Sequence, residues 1–345
     1  MEYPSFDKPK AGAFRFNTDS SQLEIYDGNQ WTGVLSTSPE LQTGGTRVLI
    51  GGGYDGGSYI KNIDYFNMAT TGNASDFGDM QGLSGWCGAL ADRTRGIFLA
   101  DGSSGGGEDN TSYVTIASTG DAATFGNLTT THNYFGGLAD RTRGVRGGGY
   151  SANNVIDYCT IQTTGDFKDF GDLVDATGAS APIYGVSGCS NAIRGIISGG
   201  DEGPAYDQTM KFITIPTLGN STDFGEATVS KSGPGACSSS TRGLIGGGSG
   251  PNPSQNVIDS IQIATLGNAV NFGELNFAAS ERFPGCTSNC IRGIWAGGYG
   301  PAPTYTVQNP IHYVNIATEG NGVDFGDLTA GAARHKGFSN AHGGL

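Results

Sequence analysis

Short apolar stretches bounded by glycine recur along most of this 345-residue chain, and they come in two kinds. One follows an arginine, as in Arg242-Gly-Leu-Ile-Gly-Gly. The other alternates apolar and polar residues, as in Ile261-Gln262-Ile263-Ala264-Thr265, which fits a half-buried strand. Each is too short to bury a core by itself. With the segments around them they give four strand-sized pieces per repeat, b, c, d and a in chain order. Strand b follows the Arg and strand c is the alternating run. Strand d is expected after each Phe-Gly-Asp/Glu, and strand a before the next Arg, as in Gly285-Cys-Thr-Ser-Asn289.

The pieces recur in register. Arg47, Arg95, Arg143, Arg194, Arg242 and Arg292 are spaced 48, 48, 51, 48 and 50 residues apart. Between them lie turn glycines at 72, 120, 165, 219, 267 and 320, each followed five residues later by Phe77, Phe125, Phe170, Phe224, Phe272 or Phe325 and then another Gly. Seven residues before each turn Gly stand Tyr65, Tyr113, Tyr158, Phe212, Ser260 and Tyr313. The turn reads Thr/Leu-Gly-Asn/Asp in most copies, where Gly supplies the positive φ a tight turn requires. Six repeats result, near 46–93, 94–141, 142–192, 193–240, 241–290 and 291–342, in a domain spanning 41–345. Residues 1–40 stand outside them as an N-terminal β module. The first copy lacks its own strand a, and the tail Gly337-Phe-Ser-Asn340 looks like a strand a with nothing behind it. The tail is therefore expected to pair with the strand after Arg47, since otherwise both ends leave open sheet edges. Seven units, with residues 12–45 forming the extra one, is the alternative.

Composition narrows the class. Sixty Gly and 13 Pro exclude a helical bundle, and no strict Gly-X-Y period suggests collagen. No apolar run reaches the ~18 residues of a membrane helix, and the start shows neither the basic nor the apolar region of a signal peptide. A net charge of −13 argues against nucleic acid and anionic membranes. Cys87, Cys159, Cys189, Cys237, Cys286 and Cys290 are too sparse for a disulfide scaffold and are expected to be reduced. An all-β protein rich in turns is the expectation.

A four-stranded unit of about 50 residues has the length of a propeller blade. The Gly pair closing strand b, the aromatic in strand c and the large aromatic near strand d resemble the kelch pattern over about residues 44–342, with Phe where kelch has Trp. That resemblance implies a six-bladed kelch-like β-propeller. Residues 12–31, with Gly12-Ala-Phe-Arg-Phe-Asn-Thr-Asp19 and Leu23-Glu-Ile-Tyr-Asp-Gly28 before Trp31, read as a small hairpin. They are similar to a short β module of tail-fibre and other virion proteins of tailed bacteriophages, and the repeat consensus resembles repeats in such proteins too. The resemblance implies a non-enzymatic virion protein of the tail or capsid surface, made in the host cytoplasm and serving in host-surface recognition or decoration. Residues 1–40 would join other virion proteins, and host glycan or protein would be the outward partner; a homo-oligomer is compatible with this.

No chemistry-bearing constellation is selected by spacing, so no catalytic, metal or cofactor residues are assigned. His132, His312, His335 and His342 do not form an oxidase-like copper set. Cys286-x3-Cys290 lacks a second pair, and the cysteines near strand a read as small packing residues. Gly102-Ser-Ser104-Gly-Gly106 is not a strand–turn–helix elbow. Acids following the Phe-Gly (Asp79, Asp172, Glu226, Glu274 and Asp327) read as turn or capping groups rather than calcium ligands. They are also, with carbonyls, the expected partners of the six arginines. A propeller enzyme acting on surface glycans, or an oxidase-like propeller, is the rival class.

The loops sort into two faces. Antiparallel strands put the b–c and d–a loops on one side and the a–b and c–d turns on the other. Spacings containing the former vary, 22–28 and 23–29 residues, while the c–d turn is constant. The variable loops also hold Tyr54, Tyr59, Tyr134, Tyr150, Tyr184, Tyr206, Phe283, Tyr299 and Tyr305, the candidate binding face.

Overall fold

The computed structural model describes residues 9–17, 22–33, 47–86, 88–101, 108–150, 154–175, 177–202, 205–250, 256–275, 283–300 and 304–345. The chain divides into two compact units, Met1–Leu41 and Gln42–Leu345. The first holds a three-stranded antiparallel sheet, Phe14–Asn17, Gln22–Tyr26 and Trp31–Gly33. The expected hairpin thus gains a third strand. Tyr26 pairs with Trp31 in that register, and Arg15 lies 4.3 Å over the Trp31 ring while bonding Glu24 at 2.7 Å.

The second unit is all-β and propeller-like. Among the described residues it contains six four-stranded antiparallel sheets, each meeting its neighbours along its first strand. Five follow the chain. In one of them, for example, Gly235–Ser238, Arg242–Gly246, Val257–Gln262 and Val270–Glu274 lie side by side as a, b, c and d. In the remaining sheet strand a is Lys336–Ser339 from the tail, paired with Arg47–Gly51 so that Phe338 faces Leu49. The tail strand lies against Gly285–Ser288 on one side and Gly88–Ala91 on the other.

Two strand positions differ from the alternation in the sequence. Strand c ends where Ile261-Gln262 begins the alternating run, because Ile263 turns into the buried seam instead. Strand d runs through the Phe-Gly rather than after it, as in Thr222–Glu226. A bulge at Phe224 displaces the register between Met210 and Lys211, turning the ring into the core.

The repeated residues form the junctions between sheets. Each turn Gly donates its N–H to the carbonyl of the Phe in the preceding unit, at 2.8–3.1 Å, and the residue two further on donates to the next carbonyl but one, at 2.7–2.9 Å. The Asn or Asp after the turn Gly accepts, at 2.9–3.1 Å, the N–H of the residue that follows that Phe-Gly. In the same seam the turn-Gly carbonyl rests on the Gly of Phe-Gly. A Cβ there would lie only 2.2–2.6 Å from that oxygen, at Gly78, Gly126, Gly171, Gly225, Gly273 and Gly326 alike. Gly72 bonds Phe325, so the sixth sheet engages the first in the same way.

The six arginines span the same seams. Each Nη1 donates to a carbonyl of the following unit at 2.6–3.2 Å: Arg47 to Ile116, Arg95 to Ile161, Arg143 to Ile215, Arg194 to Ile263, Arg242 to Ile316 and Arg292 to Met68. Their partners are carbonyls in every copy, so the acids after Phe-Gly, although numerically matched, are not used. Each guanidinium stacks 4.3–4.8 Å over Tyr65, Tyr113, Tyr158, Phe212 or Tyr313 of its own sheet. Where Ser260 replaces the aromatic, Arg242 leans over Phe272 at 5.9 Å instead. Six apolar clusters, one per seam, each contain one of the repeated Phe rings.

Small residues, Ala89, Gly137, Gly188, Ala236, Cys286 and Gly337, line a narrow channel of about 50 Å³ between the first strands. That admits a few waters and nothing larger. Cys189 and Cys237 border the channel too and pack into the seams; Cys87 and the Gly102–Gly106 loop lie outside the described residues. At one end Ser190, Ser238, Ser288 and Ser339 hand hydroxyl bonds from strand to strand, each to the carbonyl of its neighbour. Residues 341–345 cover that end, where His342 Nε2 lies 2.6 Å from the Ala91 carbonyl.

Steric and conformational effects separate cleanly at one seam. A Cβ on Gly225 (φ +140°) would lie 2.5 Å from the Gly267 carbonyl oxygen, whereas Gly267 (φ +148°) has open space around its would-be Cβ. Gly267→Ala should cost about 1–2 kcal/mol for backbone strain alone, and Gly225→Ala at least about 2 kcal/mol more. Urea denaturation of both variants checks this; equal losses would remove the seam from the account.

Candidate functional site

The opposite end of the channel is built from one equivalent position in each d–a loop, two residues before the innermost strand. Trp86, Tyr134, Gly185, Gly233, Phe283 and Arg334 stand there, all at positive φ between +57° and +72°. Their backbones join head to tail. Tyr134 donates its N–H to Trp86 O, Gly185 to Tyr134, Gly233 to Gly185, Phe283 to Gly233 and Arg334 to Phe283, and Trp86 donates in turn to Arg334 O, all at 2.6–3.1 Å. A left-handed conformation costs a non-Gly residue about 1 kcal/mol or more, and four of the six positions bear that cost with large side chains.

Those side chains converge over the channel mouth. Trp86 and Tyr134 stack at 3.9 Å with planes 19° apart, and Phe283 meets Trp86 edge-on at 4.3 Å. Gly233 makes room for this, because a Cβ there would lie 1.9 Å from the Phe283 ring. The Arg334 guanidinium sits 4.1 Å over Trp86, 5.0 Å from Tyr54 and 5.2 Å from Tyr299, and its Nη1 donates to Tyr59 Oη at 3.3 Å. Tyr150 and Tyr184 continue the patch, with rings 5.1 Å apart and Tyr150 5.7 Å from Tyr134. The structure therefore gathers Tyr54, Tyr59, Tyr134, Tyr150, Tyr184, Phe283 and Tyr299. Tyr206 sits on a two-residue strand opposite Asp201, and Tyr305 is exposed in the loop before the strand Val307–Asn315.

Loop backbones are pinned beneath the rings. Tyr54 and Ala333 exchange N–H···O bonds of 2.7 and 3.0 Å, joining the first b–c loop to the last d–a loop. Burial pushes the Tyr134 hydroxyl well above the ordinary phenol range and raises Tyr184 and Tyr299 too. Burial also holds the Cys159 thiol up at about 12, so it is not poised as a nucleophile. Among the described residues no three His, Cys, Asp or Glu side chains converge as metal ligands.

Trp86, Arg334 and His335 are absent from the residues picked by sequence. A signal for the first exists: Trp86, Tyr134, Gly185, Gly233 and Phe283 each precede their repeated Arg by nine residues. Four residue types at five positions hide that register from a search for identical residues, and Arg334 has no arginine nine residues on. No known protein-family profile matches the chain, and no characterised protein matches it in sequence.

His335 lies directly under the cluster, fully buried, with Nε2 2.7 Å from the Ala296 carbonyl and Nδ1 without a partner. Gly53, Gly285 and Gly297 crowd it closely enough that a Cβ on any of them would touch the His335 side chain at 2.5–3.0 Å. Burial depresses its pKa to about 4, and burial lowers that of His342 as well. At these two sites the folded protein thus binds fewer protons than the unfolded chain below pH ~6.5. His335 contributes stability that is fully present above pH ~6.5 and is lost as pH falls towards 4, by at most about 3 kcal/mol. Urea midpoints should fall across that window, and His335→Gln should flatten part of the fall. An unchanged pH slope in the variant would contradict the assignment.

Proposed function

We propose that this chain is a closed, six-bladed, kelch-like β-propeller that acts as a non-enzymatic structural protein of a tailed-phage particle, binding through the face of its b–c and d–a loops. The observation that carries the reading is the convergence of tyrosines from these loops, with Trp86, Phe283 and Arg334, on one end of a rigid ring. Support for closure comes from the sixth-to-first bonds, Gly72 to Phe325, Arg292 to Met68 and Trp86 to Arg334. Tyr supplies stacking area and a hydroxyl together, which suits sugars and protein contacts alike. Binding without turnover fits a face whose phenols are pushed up rather than activated.

Residues 1–40 serve in this reading as the particle attachment module. Phe14 and Phe16 are more than 60% exposed on one face of its sheet, across from Ile25 and Leu23. Electron microscopy and mass spectrometry of purified particles should find the chain in fixed stoichiometry. Replacing Tyr150, Tyr184, Tyr206 and Tyr299 together by Ala should shift the melting temperature by only a few degrees while weakening attachment or assembly at least tenfold, about 1.4 kcal/mol. Normal attachment by the variant would place the partner elsewhere.

A further inference from the structure

We propose that the channel-mouth cluster binds a carboxylate-bearing sugar, with Arg334 taking the carboxylate and the surrounding rings receiving the flat C–H face of the pyranose. This rests on the loop face being the binding face and specifies what that face takes.

Three observations point to it. First, the ring of d–a loops needs only glycine at its equivalent positions, as Gly185 and Gly233 demonstrate, yet the Arg334 side chain is held there at φ +65°. Strain of this kind concentrates at ligand sites. Second, Arg334 is a cation without a carboxylate. The described ion pairs are Arg15–Glu24, Lys61–Asp79, Arg146–Asp157 and Lys231–Asp259. Two fully buried cations, Arg146 and Lys231, each have an aspartate within 3.0 Å. Arg334 has ring faces, one phenol oxygen at 3.3 Å and a buried Nε with no acceptor. On a chain of net charge −13 this is a local site for an anion, not part of a general cationic surface. Third, the residue is half-buried rather than sealed; Trp86 beneath it is buried, whereas Tyr54, Tyr59 and Tyr299 around it are half-buried and reach solvent. Aromatic faces beside a cation offer stacking and a charge-assisted bond to one small molecule at once. A bare inorganic anion would use the charge and waste the rings; a neutral sugar would do the reverse.

The test is calorimetric titration of the full chain with glucuronate, glucose and acetate at constant ionic strength. Glucuronate should bind at least about tenfold tighter than either glucose or acetate. Arg334→Gly removes the side chain while keeping the backbone in a conformation glycine adopts freely, so it should fold with a melting temperature no lower than wild type. It should lose the preference for glucuronate over glucose, and Arg334→Lys should recover part of it. The proposal falls if the wild-type chain shows no saturable binding of glucuronate up to about 50 mM, an affinity no better than ~1.8 kcal/mol. It also falls if acetate or glucose binds equally well, or if Arg334→Gly keeps the preference. Should it fall while the four-tyrosine variant still loses attachment, the face remains the binding face and only the ligand class is wrong.

Discussion

The carbonyl of one turn glycine, seated against the glycine of a Phe-Gly in the preceding sheet, is the contact from which the rest of this architecture follows. Backbone approaches backbone closely enough that no Cβ fits, and the approach lets two N–H···O bonds and one Asx side-chain bond form across the seam. With the edges of strands d and the c–d turns tied together, the Phe ring is forced inward, where it fills the seam core and supports the aromatic of strand c edge-on at 5.8–6.3 Å in five copies. That aromatic in turn carries the guanidinium that reaches over to the next unit. One steric constraint thereby accounts for the constant spacing of the strand-c aromatic position, the turn Gly and the Phe in each repeat.

A seam defined by backbone and repeated residues frees the other end of each sheet. The a–b turns are uniform: Asp92, Asp140, Asn191, Ser239, Asn289 and Asn340 each accept the N–H of a repeated Arg. The loops across the sheet from them differ in length and side chain, and only their last residues before the inner strands are held, by the ring of head-to-tail backbone bonds. That ring is what permits Trp86, Tyr134, Phe283 and Arg334 to keep a conformation they would not adopt in isolation. The stability of the belt underwrites the strain at the mouth.

What could be read from the sequence was whatever repeats with identical or near-identical residues. Six arginines, six Phe-Gly pairs and the unpaired tail announced the units and the pairing of Lys336–Ser339 with Arg47–Gly51. Their roles were less accessible. The sequence left carboxylates and carbonyls open as partners of the arginines, and the structure selects carbonyls, because a guanidinium stacked on an aromatic ring points its Nη1 along the sheet to the main chain. The strand through Phe-Gly was misplaced because a glycine at φ +140° reads as a turn, when here it marks a bulge inside a strand. At the channel mouth the tyrosines were visible as a compositional excess, whereas Arg334 and Trp86 were not, because their equivalence with Gly185 and Gly233 lies in backbone conformation and not in chemistry.

Closure of the ring is the claim on which both the scaffold and the binding face depend, and amide hydrogen exchange reads it residue by residue. The six N–H groups of Trp86, Tyr134, Gly185, Gly233, Phe283 and Arg334 donate around one cycle, so their protection should be uniform within about tenfold and should be lost together as the fold opens. The Trp86 amide is the decisive one, since it alone in that cycle bridges the first d–a loop to the last. Exchange at Trp86 faster than at the other five by a hundredfold or more, roughly 2.7 kcal/mol of missing protection, would mean that the sixth unit does not hold the first.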